Sequence, residues 1–119
     1  MAKGEIVHIE FPAKDVVAAG KFYSGLFGWK TDQWPGMNYV LFEAPAGPGG
    51  GFTECDENTK IGEILLHVET DNIEESLAKA ESLGGEVVLA RTEIPDIGWY
   101  AVFKDPSGNK VGLFTPKQG

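Results

Sequence analysis

Hydrophobic and polar positions alternate at the start of the chain. Ile6, His8 and Glu10 interleave with Val7, Ile9 and Phe11, which predicts a half-buried strand with one apolar and one mixed face. The period then changes. Val16, Ala19, Tyr23, Leu26 and Phe27 recur at helical spacing behind Asp15, a capping residue, and Gly28 suits the stop. Residues 29–34 read as a strand, Pro35-Gly36 as a turn, and 37–43 as the next strand. The run from Pro45 to Gly51 reads as a loop leading into a short strand over 51–55.

The same order returns. Residues 64–69 read as a strand, and Asn72 caps a second helix with Glu75 at the capping-box position. Ile73, Leu77, Ala80 and Leu83 form its apolar stripe. Strands are predicted over 86–93, 99–104 and 109–114, with turns at Pro95–Gly98 and Asp105-Pro106-Ser107-Gly108. The wording repeats as well as the pattern. Gly4-Glu5-Ile6-Val7-His8-Ile9-Glu10 returns as Gly62-Glu63-Ile64-Leu65-Leu66-His67-Val68-Glu69. The chain therefore reads as βαβββ twice, an α+β protein with helices outside two curved sheets. It is expected to be a single domain over 1–119, with module one at 4–55, a linker at 56–61 and module two at 62–116.

At 119 residues, with 42% hydrophobic and 24% charged residues, the composition is that of an ordinary globular protein. A net charge of −8, spread over both halves, argues against nucleic acid and against anionic membranes. Cys55 stands alone, so no disulfide framework exists and a reducing, cytoplasmic setting is expected. No apolar run approaches the roughly 20 residues of a membrane span.

His8 and His67 hold matching repeat positions, each with a glutamate two residues on. Alternation sets His8 with Glu10, and His67 with Glu69, on one strand face. Imidazole with carboxylate suits a divalent metal or general acid–base work, so these four are the catalytic candidates. Two repeat-related histidines are expected to face one cleft. The glycine run from Gly47 lacks the Lys-Ser/Thr of a phosphate loop and reads as a hairpin connection. The aromatics Trp34, Phe52, Trp99 and Phe114 are candidates either for core packing or for an apolar ligand cup.

The strings Val7-His8-Ile9-Glu10-Phe11-Pro12-Ala13-Lys14-Asp15, Phe22-Tyr23-Ser24-Gly25-Leu26-Phe27-Gly28-Trp29 and Asp105-Pro106-Ser107-Gly108-Asn109 resemble the vicinal oxygen chelate superfamily. That superfamily contains glyoxalase I, bleomycin-resistance proteins and extradiol dioxygenases. The chain looks most like its short two-module, glyoxalase-related members. The resemblance implies paired βαβββ modules forming a cupped, incomplete eight-stranded barrel. It also implies a metal site, in metal-using members, built from first-strand histidines and last-strand glutamates. His8 and His67 match the histidine positions. Gly112, and by alignment of Gly-Phe-Thr on Leu-Phe-Thr also Gly50, stand where the glutamates would be.

Two readings follow. In one, a cup lined by Phe52, Trp99 and Phe114, with Arg91 at its rim, binds a small, neutral or cationic planar molecule without a tightly bound metal or other cofactor. In the other, a divalent metal at His8 and His67 serves a lyase, isomerase or dioxygenase acting on vicinal oxygens. The empty glutamate positions favour the first, and glyoxalase I activity is not expected. A homodimer is expected, because open sheet edges need covering.

Overall fold

The computed structural model describes residues 4–57 and 59–117. Residue 58 of the expected linker and the chain ends at 1–3 and 118–119 lie outside the described residues. The chain divides into two compact units. Of the described residues, one unit holds those within 7–65, and the other holds 66–117 together with 4–6.

The first unit contains β1 (Ile6–Ala13), α1 (Val16–Phe27), β2 (Lys30–Gln33), β3 (Tyr39–Glu43) and β4 (Gly49–Glu54). Its strands lie in the order β2-β3-β4-β1, with β1 parallel to β4 and the other pairs antiparallel. Asp15 caps α1 by accepting from the Ala18 backbone N–H at 3.0 Å. Gly28 ends the helix in the left-handed region, at φ 75°. The core joins Ala13, Val16, Val40, Phe42 and Phe52, flanked by Ile9, Phe11, Tyr23 and Trp29. The expected α1 stripe is corrected at its end. Leu26 and Phe27 are exposed, and Gly20 is buried instead. A Cβ on Gly20 would stand 3.2 Å from Val40 Cγ1, so the helix packs closely there and rolls Leu26 outward.

The second unit contains β5 (Leu65–Glu69), α2 (Ile73–Ser82), β6 (Glu86–Ile94), β7 (Gly98–Lys104) and β8 (Lys110–Pro116). The order β5-β8-β7-β6 repeats the first unit's plan, again with the first and last strands parallel. Gly4 and Glu5 bond to the backbone of Glu69. Asn72 accepts from the Glu75 N–H at 3.0 Å, as the capping pattern predicts. Ile73, Leu77, Ala101 and Leu113 form this unit's core. Leu83 does not join it. It lies just past the helix end and is 70% exposed.

One segment departs from expectation at its start. β4 begins at Gly49, so Gly49 and Gly50 belong to the strand expected to start only at Gly51. β4 runs between β1 and β3, and added Cβ atoms would strike Phe42 O from Gly49, Ile9 O from Gly50 and the Tyr39 ring from Gly51. Glycine suits a strand where backbone and ring approach this closely. Among the described residues, no helix is long and apolar enough to cross a membrane.

Candidate functional site

In the first unit, alternation sends Ile9, Phe11 and Ala13 of β1 into the α1-side core. His8 and Glu10 therefore emerge on the opposite face. The structure adds Tyr39 to them. Its hydroxyl donates to Glu10 Oε2 at 2.9 Å and lies 2.7 Å from His8 Nε2. The row is His8, Tyr39, Glu10, and Tyr39 is only 9% exposed.

This contact needs a particular path. β3 and β1 are separated by β4, two strand spacings or about 9–10 Å. The Tyr39 side chain spans that gap by lying over Gly51, where a Cβ would collide with its ring and hydroxyl. Trp34 meets Tyr39 edge to face, with centroids 5.7 Å apart at 78°.

Burial sets the row's electrostatics. It lowers the pKa of the His8 imidazole and raises that of the Glu10 carboxyl, a rise the Tyr39 hydrogen bond opposes. The Tyr39 phenol is pushed well above its ordinary range, first by burial and then by the neighbouring Glu10 charge and hydrogen bond. Tyr39 thus stays protonated as a donor, between one group that resists positive charge and one that resists negative charge.

Among the described residues, the second unit does not repeat this His–Tyr–Glu row. His67 is buried, and its ring lies over Gly112, whose added Cβ would stand 2.5 Å from His67 Cδ2. His67 pairs in register with Gly112, and Glu69 with Phe114. Glu10 pairs with Gly51, so Phe114 stands where the first unit has the glycine that admits Tyr39. Two residues further along β4 and β8, Thr53 pairs with Tyr39 and Pro116 with Gly98. Gly98 therefore takes the place of Tyr39.

The proposed ligand-lining residues separate. Phe114 shares the strand face of His67 and Glu69 by register. Trp99 packs on the α2-side core. Arg91 lies over the Trp99 ring at 4.6 Å and 3.9 Å from Glu74. Arg91 and Trp99 line a cavity of about 470 Å³ with Asn72, Thr115 and Lys117. They are together, but away from the His67 face. Phe52 needs correction. It is fully buried at 0% exposure in the α1-side core, so it has no surface to offer a ligand. The Gly50 correspondence also shifts. The residue paired with His8 is Gly49, whereas Gly50 pairs with Ile9 and faces Phe42. A one-residue slip in a strand register exchanges the two faces.

The metal that the resemblance implies can be tested against the donors. Among the described residues, no group of three or more His, Cys, Asp or Glu side chains is arranged to hold an ion. In the first unit, His8 Nε2 and Glu10 Oε2 already share the Tyr39 hydroxyl. In the second, Gly112 offers His67 no carboxylate neighbour. Such donor sets do not fit a hard divalent cation, which wants several oxygen ligands.

Comparison with known proteins agrees with this architecture. The family model for the glyoxalase-like domain matches residues 7–114, and the chain belongs to that family. The anthracycline biosynthesis protein DnrV of Streptomyces peucetius is 27% identical over 90% of this chain and 45% of its own length. A glyoxylase-like domain-containing protein of Didymella fabae is 28% identical over 94% of each chain. The chain thus spans under half the length of DnrV and of its counterpart DauV. Among solved structures, the Mn(II)-bound glyoxalase of Novosphingobium aromaticivorans superposes with a TM-score of 0.68 at 20% identity, over 97% of this chain and 40% of that one. The fold is that of the glyoxalase, bleomycin-resistance and dioxygenase superfamily.

Proposed function

We propose that the protein binds a small, planar, neutral or cationic molecule at the face carrying His8, Glu10, Tyr39 and Trp34, without a tightly bound metal. The hydrogen-bonded row of His8, Tyr39 and Glu10 carries this reading. A part-buried polar row beside an indole is the usual makeup of a small-molecule site, with an apolar surface and a few placed polar groups. Glu10 supplies negative charge and Trp34 a ring, which together suit a planar cation. The overall charge of −8 disfavours anionic ligands. A relative named for anthracycline biosynthesis is in keeping with a planar aromatic ligand. The row also holds acid–base groups, so proton transfer with a bound molecule is chemistry this face can carry.

The test is chemical-shift mapping of the protein with a cationic acridine, in the presence of a chelator. Shifts centred on His8, Trp34 and Tyr39 support the reading. Shifts centred on Arg91 and Trp99 would move the site to the other unit, and no shifts at millimolar probe would remove it.

A further inference from the structure

Tyr39 has one proton and sits between two partners. Its hydroxyl donates to Glu10 Oε2 at 2.9 Å, so toward His8 Nε2, at 2.7 Å, its oxygen can only accept. A neutral imidazole carries its proton on one nitrogen, and the hydrogen bonds it makes decide which. We infer that Tyr39 is a positioning residue that fixes His8 as the Nε2–H tautomer whenever Glu10 is a carboxylate, placing the ring's lone pair on Nδ1. Gly51 is the second part of the device, because only a residue without Cβ lets the Tyr39 ring pass over β4 to reach both groups.

The device is confined to one unit. At the matching places in the second unit, Phe114 replaces Gly51 and Gly98 replaces Tyr39. Repeat-related histidines with repeat-related glutamates are thus set differently. His8 is held by a phenol that reports the state of Glu10, and His67 lies over Gly112. Two nearly identical His-x-Glu strings acquire different roles from residues two strands away.

For the ligand site, the consequence is that His8 and Glu10 act as an ordered pair. Loss of the Glu10 negative charge removes the reason for Tyr39 to point its proton that way, and frees the row to reverse. This use of the device rests on the small-molecule reading above. The tautomer itself does not, and the test needs no ligand.

The experiment is a two-bond ¹⁵N–¹H correlation spectrum of the His8 ring in the full, ligand-free chain, at about pH 7.5, above the ordinary imidazole range. The native protein is expected to show a protonated Nε2 and an unprotonated Nδ1, in a single tautomer. Tyr39→Phe keeps the ring and removes only the hydroxyl. It should move the ring nitrogen shifts away from their native values. Gly51→Ala should do the same by displacing the phenol, and it covers the case in which Tyr39→Phe does not fold. A native spectrum with protonated Nδ1, or one left unchanged in both variants, overturns the inference. Chemical-shift mapping that fails while the tautomer holds would overturn the ligand reading alone.

Discussion

Gly112 lies beneath the imidazole of His67, with a Cβ there placed 2.5 Å from His67 Cδ2. The position that resembles a metal-ligand glutamate is therefore filled by the histidine that would share the metal. Gly112→Ala should destabilise the protein by about 1–3 kcal/mol through overpacking. Urea unfolding checks this, and a midpoint equal to that of the native chain would show that the ring has room to move.

Because His8 and Glu10 are committed to Tyr39, and Gly112 brings no carboxylate to His67, added metal should not awaken glyoxalase activity. With nickel, zinc or manganese and a glutathione hemithioacetal, turnover should stay well below about 1 per second, the low end of ordinary enzyme rates. An assay at that sensitivity decides it.

Phe52 belongs to the core. Phe52→Ala should lower stability by about 3–5 kcal/mol, whereas Phe52→Leu should fold and bind the acridine probe as tightly as the native chain. Denaturation and probe titration of the two variants separate a packing role from a ligand role.

Burial holds the His8 pKa below its ordinary 6.5. As pH falls through that value, the unfolded chain takes up a proton before the folded one does. The stability contribution from keeping His8 neutral is present above pH 6.5 and is lost as pH falls toward the lowered folded value. Unfolding free energy should therefore drop across this window in the native chain, and drop less in His8→Gln. Parallel slopes in the two proteins would count against a lowered His8.

β2 ends the first unit's sheet with all four residues exposed, and α1 leaves Phe22 and Leu26 exposed. Uncovered edges and apolar surface favour association, and a homodimer is the expected outcome. Light scattering at micromolar concentration should give twice the 12.8 kDa chain mass.

Much of this was legible in the sequence. The periods of residues 6–11 and 16–27, the caps at Asp15 and Asn72 and the turn at Asp105 are local, so local pattern reveals them. The placement of His8 with Glu10 followed from strand alternation. Tyr39 did not, because its role depends on β3 and β1 flanking β4, and such pairing is set by tertiary structure. Its only local signal was Gly51, and a glycine run reads as a loop running into a strand until its close contacts are seen. Phe52 and Gly50 fall on other faces than the repeat alignment predicts, for a related reason. The Phe-Thr strings align the repeats by one register and the strand pairing by another, and each step exchanges the faces.

The proposed metal-free site at His8, Tyr39, Glu10 and Trp34 takes a small, planar, neutral or cationic molecule. Calorimetric titration of the chelator-treated protein with a cationic acridine, in the native chain and in Glu10→Gln, measures binding at this site. Saturable binding by the native chain is expected, with at least about tenfold weaker binding by the variant, as loss of a charged partner implies. Equal affinity in both proteins, or binding that appears only when a divalent metal is restored, would contradict it.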